Sequence, residues 1–192
     1  MNLLEYGLDD FLAKTLISTL SLTINNYSSF FQTTETIFCC SLKDLTSLRE
    51  LTLTINNFED LGGDSVYEPI STSAFAANKS LTTFTLTVNE YSVPDCKWLV
   101  YLVGDLEHNT TITTFNLTVN ICNEVSEGWL HKLRSILPQS DSLKTLRLQV
   151  SDHCATSEGH IYDLSKLSLT SKSLSSIDLT VNFYGMTESS SN

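Results

Sequence analysis

Along "SLTTFTLTVN", Ser80 to Asn89, apolar and hydroxyl residues trade places one for one. Phe84, Leu86 and Val88 alternate with Thr83, Thr85 and Thr87, a period of two that predicts a strand with one apolar and one polar face. The phrase keeps returning. It reads "ISTLSLTIN" to Asn25, "LRELTLTIN" to Asn56, "LTTFTLTVN" to Asn89, "ITTFNLTVN" to Asn120, "LKTLRLQVS" to Ser151 and "LSSIDLTVN" to Asn182. Successive endpoints lie 31 residues apart, except for one interval of 33 between Asn56 and Asn89. Position eight of every unit is apolar: Ile24, Ile55, Val88, Val119, Val150 and Val181. The inward face is therefore expected to run unbroken from unit to unit.

Helix-like spacing fills the intervals. "KWLVYLVGDLEHN" sets Leu99, Leu102, Val103 and Leu106 on one face, and "GWLHKLRSILPQ" does the same with Trp129, Leu133, Ile136 and Leu137 before Pro138. "TIFCCSLKDL" offers Phe38, Leu42 and Leu45, and "HIYDLSKLSL" offers Ile161, Leu164 and Leu167 in a shorter helix. The stretch 62–75, with Gly62, Gly63 and Pro69, is the least regular and holds the two-residue insertion.

The recurring pattern L-x-x-L-x-L-x-x-N-x-L falls on Leu48, Leu51, Leu53, Asn56 and Phe58 in the second unit. It resembles the leucine-rich repeat, held in register through six units. That resemblance implies an α/β solenoid over residues 1–184, with 185–192, "GMTESSSN", as a disordered tail. Strands stack about 4.8 Å apart and helices about 10 Å apart, so the stack should bend into an arc, strands concave and helices convex. Asn25, Asn56, Asn89, Asn120 and Asn182 are expected to turn inward after each strand and satisfy buried backbone groups, with Ser151 as the weak rung.

Three polar columns should line the concave face, at positions three, five and seven of each unit. The candidate docking residues among them are Glu50, Thr52, Thr54, Thr85, Thr87, Asn116, Thr118, Arg147, Gln149, Asp178 and Thr180. Threonine has its own reason to be there: it is β-branched, fits an exposed strand and avoids stacked like charges. Recognition is the second reason, and it points to Glu50 or to the group around Arg147, because arginine is the one strong anchor type in these columns. Arg147 and Asp178 share position five on successive strands and are expected within ion-pair reach. An ice-binding surface is set aside because Asn116, Arg147, Gln149 and Asp178 interrupt the threonine rows.

Charge narrows the partners. Eleven basic residues face 22 acidic ones, for a net charge of −11. Nucleic acid and an acidic membrane surface are both disfavoured, and a protein partner is expected. No run of about 18 apolar residues occurs to span a bilayer, and the first residues do not read as a secretory signal. Five cysteines without paired spacing suggest thiols in a reducing compartment. The sequons at Asn26, Asn78, Asn109 and Asn116 are read as chance matches in a threonine-rich chain.

No phosphate-binding loop, dinucleotide fingerprint, C-x-x-C or H-E-x-x-H appears. Cys122 and His153 share a column, with Cys154 and His160 nearby in sequence, but this slot is ordinarily filled by Leu or Tyr. No cofactor, metal or catalytic group is expected, and the chain is read as non-enzymatic.

The phrases "SLTINNYS", "LTLTINNF" and "TLTVNEYS", with Trp98 and Trp129 opening helices and "GLDDFLAK" ahead of the first strand, resemble the repeat arrays of NOD-like (NACHT–LRR) receptors of marine invertebrates. The resemblance implies a ligand-sensing or autoinhibitory array of a cytoplasmic innate immune receptor, here without the nucleotide-binding module and as part of a longer array. An intracellular scaffold, or the substrate-recognition adaptor of a ubiquitin ligase, is the alternative. Units without polar caps are expected to self-associate through their ends.

Overall fold

A computed structural model describes residues 16–26, 42–57, 73–90, 97–121, 128–152 and 171–183. The strands are β1 (Thr19–Asn26), β2 (Glu50–Asn57), β3 (Thr83–Glu90), β4 (Thr114–Ile121), β5 (Thr145–Asp152) and β6 (Ser176–Phe183). Among the described residues three helices lie between them: α1 (Ser73–Ala77) before β3, α2 (Lys97–Asp105) before β4 and α3 (Gly128–Ile136) before β5. The six strands form one parallel sheet in chain order. Each strand meets the next at the residue where the sequence phrase repeats, so Thr19, Glu50, Thr83, Thr114, Thr145 and Ser176 stand in one row.

Alternation assigns the two faces. Leu51, Leu53 and Ile55 of β2 are buried, as are Phe84, Leu86 and Val88 of β3 and Phe115, Leu117 and Val119 of β4. Against them pack Leu99, Leu102 and Val103 of α2 and Trp129, Leu133 and Ile136 of α3. Phe84 holds the middle of this layer, its ring 4.8 Å from that of Phe75 on α1 and 5.5 Å from that of Phe115. The pattern expected for "KWLVYLVGDLEHN" and "GWLHKLRSILPQ" is thus the buried face of α2 and α3, and Pro138 follows the end of α3. Of "TIFCCSLKDL", Leu42 and Leu45 are buried in the same core. Residues 36–41 of that segment, all of "HIYDLSKLSL" and the tail 185–192 lie outside the described residues.

The turns that lead into β3, β4, β5 and β6 are each tied by a polar side chain, buried in the first three and half-buried in the last. Asn78 donates from Nδ2 to the Leu42 carbonyl at 2.7 Å, and its Oδ1 accepts from the Ser80 and Leu81 amides at 2.9 and 2.8 Å. Asn109 repeats the arrangement. It donates to the Phe75 carbonyl at 2.6 Å and accepts from the Thr111 and Ile112 amides, each at 2.8 Å. Ser140 and Ser171 hold the same place in the next turns and accept from the Leu143 and Leu174 amides. Asn78 and Asn109 are 1% and 4% exposed, so they satisfy interior backbone groups that would otherwise lack partners. Asn78 and Asn109, whose sequons the sequence reads as chance matches, are buried turn asparagines.

The other asparagine column departs from the inward place expected of it. Asn25, Asn56, Asn89, Asn120 and Asn182 lie within the strands and not in a buried turn after them. Position eight is apolar and faces the core, and the next residue in a period of two must face away from it. Asn25 is exposed and the other four are half-buried, on the threonine side of the sheet.

Candidate protein-docking face

The side of the sheet away from the helices carries the three predicted columns. Glu50 stands exposed at the start of β2, with Thr52 and Thr54 half-buried beyond it. Thr85 and Thr87 continue the rows on β3, and Asn116 and Thr118 do so on β4, all half-buried. Arg147 and Gln149 on β5 and Asp178 and Thr180 on β6 are exposed. The candidate residues therefore share one face. They divide into a hydroxyl-rich middle and a more varied end at β4–β6, with Glu50 apart on β2.

At the varied end lies an open depression of about 250 Å³, lined by Asn116, Thr118, Arg147, Gln149, Asp178 and Thr180. Asn116 is fixed at its margin, its Nδ2 donating to Thr85 Oγ1 across the strands at 3.0 Å. Its Oδ1 is buried and lacks a hydrogen-bond partner among the described residues. Arg147 stands between the register partners Asn116 and Asp178.

The expected Arg147–Asp178 ion pair is not formed among the described residues, although the two are register partners. Both side chains are exposed to water, which weakens their attraction and leaves the entropy cost of holding two side chains together unopposed. Arg147 is exposed and lines the depression.

A ladder of amides borders the columns. Asn56 Nδ2 donates to Asn25 Oδ1, Asn89 to Asn56 and Asn120 to Asn89, each at 2.6 Å. Every bond points the same way, from a strand back to the one before it. Ser151 shortens the reach on β5, and Asn182 meets its Oγ at 3.4 Å. Sequence reasoning found this column but misjudged its direction, because the repeat pattern places an inward asparagine where this chain has already placed an inward Ile or Val.

The helix side offers a contrast. Lys132 of α3 bridges to Glu107 beyond α2 at 2.8 Å. The hydrogen bond from Lys132 holds the Glu107 carboxyl below its ordinary value of 4.5, with burial opposing it. Among the described residues no three His, Cys, Asp or Glu side chains are grouped to hold a metal ion, and no helix is long and apolar enough to cross a membrane. Cys122, His153, Cys154 and His160 lie outside the described residues. No protein-family model matches the chain, and no curated protein matches it.

Proposed function

We propose that this chain is a non-enzymatic protein-interaction module of the leucine-rich-repeat kind, an arc with the sheet on its concave side, and that it captures its partner on the open face around Arg147. The observation that carries the reading is the depression at β4–β6, where a guanidinium without an ion-pair partner among the described residues stands beside an unpartnered amide oxygen. Arginine in such a setting is a frequent anchor of binding energy, whereas hydroxyl columns supply hydrogen bonds and little affinity. The likeness in repeat phrasing supports placing the module in a cytoplasmic NOD-like immune receptor, as its sensing or autoinhibitory part.

A photo-crosslinking side chain tests the face directly. Placed at Thr118, inside the depression, it is expected to join a partner protein in native extract. Placed at Ser135, exposed on α3, it is expected to join none of the same proteins. The reverse result would move the docking surface to the helix side.

A further inference from the structure

Asparagine ties the turns before β3 and β4 to the unit that precedes each, and serine stands in its place before β5. Asn78 donates to the carbonyls of Leu42 and Leu45, and Asn109, one unit on, donates to those of Phe75 and Asn78. The corresponding carbonyls 31 residues further along are those of Leu106 and Asn109. Ser140 holds the asparagine's place in that turn and is 5% exposed. Its side chain keeps half of the asparagine's work, accepting from the Leu143 amide at 3.3 Å. It lacks the carbon and nitrogen of a carboxamide, and no hydrogen bond joins it to the Leu106 carbonyl. That carbonyl is therefore without the amide donor that Leu42 and Phe75 receive. The Asn109 carbonyl is better served, because Ser142 Oγ donates to it at 3.2 Å, as Ser80 Oγ does to the Leu45 carbonyl.

Where the carboxamide would lie there is a cavity of about 10 Å³. Leu106, Asn109, Ser140 and Ser142 line it on one side, and Ile112 and Ile136 are among its apolar walls. We propose that this cavity is a binding site for a single buried water, which takes the place of the absent amide nitrogen and bridges Ser140 to the Leu106 carbonyl. The volume is close to what one water needs, and buried waters are held by two to four polar partners. Here the water accepts from the Ser140 hydroxyl, whose oxygen still accepts from the Leu143 amide. It donates to the Leu106 carbonyl and toward the Asn109 carbonyl, which has a second lone pair besides the one Ser142 uses. A metal cation is a poor alternative, since it would require more oxygen ligands than this pocket offers. Water can enter from an adjoining open depression of about 270 Å³, which shares Asn109, Ser140 and Ser142 with the cavity. The turns before β3 and β4 are thus tied to the preceding unit directly, and the turn before β5 through a solvent molecule.

A crystal structure of the full chain at atomic resolution tests the site, beside one of Ser140→Asn. Wild type should show a density peak within about 3 Å of both Ser140 Oγ and the Leu106 carbonyl oxygen. In Ser140→Asn the peak should be gone and Nδ2 of the new side chain should stand on the Leu106 carbonyl. Oxygen-17 relaxation dispersion gives an independent count in solution, where wild type should hold one more long-lived water than the variant. A wild-type cavity without density overturns the proposal, and this result needs no variant to fold. So does an equal count of long-lived waters in wild type and in folded Ser140→Asn.

Discussion

Asparagine does two jobs in this chain, and single substitutions separate them. Asn109 is 4% exposed and satisfies groups on both sides of a buried turn. Asn109→Ala is expected to cost about 1–3 kcal/mol, because it leaves interior donors and acceptors without partners. Asn89→Ala removes a half-buried rung whose former partners can turn to water, and about 1 kcal/mol or less is expected. Denaturant midpoints of the two variants, measured side by side, check the ordering. Equal losses would return the open-face column to the interior role first expected of it. Ser151 gives a test by gain: Ser151→Asn supplies the missing rung between Asn120 and Asn182 and should raise stability by up to about 1 kcal/mol.

Strands and helices were legible to different depths. Period-two alternation located all six strands and their register, because burial of one face leaves a strand no latitude to slip by one residue. The buried faces of α2 and α3 followed from Leu99, Leu102, Trp129 and Leu133 in the same way. What escaped was the turn chemistry. The signal was present in the sequence: N-x-S-L at Asn78 and N-T-T-I at Asn109, followed by S-x-S-L at Ser140 and Ser171. A sequon and a buried turn asparagine have the same letters, and only the spacing of the turns distinguishes them. The Arg147–Asp178 pair was misjudged for another reason, since register fixes backbones but not the ends of exposed side chains.

Two predictions belong to the helices. A Cβ at Gly104 of α2 would lie 3.0 Å from Cε of Lys132, the flexible end of a side chain. Gly104→Ala should therefore realise most of the helix-propensity gain, up to about 1 kcal/mol, after a small shift of Lys132. Thermal unfolding of the variant checks the sign. The Glu107 carboxyl has its folded pKa lowered from 4.5, chiefly by the Lys132 hydrogen bond. Its contribution is then present above the ordinary carboxylate value and is lost as pH falls through the lowered folded value. Both side chains are partly exposed, so the effect is small. Lys132→Ala should be slightly less stable than wild type near neutral pH, and the difference should vanish in acid, as read by denaturant titration at the two conditions.

For the whole molecule, a sheet built from one repeated phrase gives every strand the same inner face and concentrates the differences on the outer one. Thr52, Thr54, Thr85 and Thr87 are near repeats of one another, while Asn116, Arg147, Gln149 and Asp178 depart from that theme within three neighbouring strands. The departures coincide with the depression, and under the proposed function that end of the open face is where the chain distinguishes one partner from another. Charge reversal gives the most direct measurement of this claim. Binding of the partner crosslinked through Thr118 is titrated against wild type, Arg147→Glu and Lys132→Glu, after each variant is shown to unfold in one transition. Truncating an arginine anchor typically costs about 2 kcal/mol or more, so Arg147→Glu should weaken the complex by roughly thirtyfold while Lys132→Glu leaves it unchanged. Full affinity in Arg147→Glu together with loss in Lys132→Glu would contradict the account and put the partner on the helices.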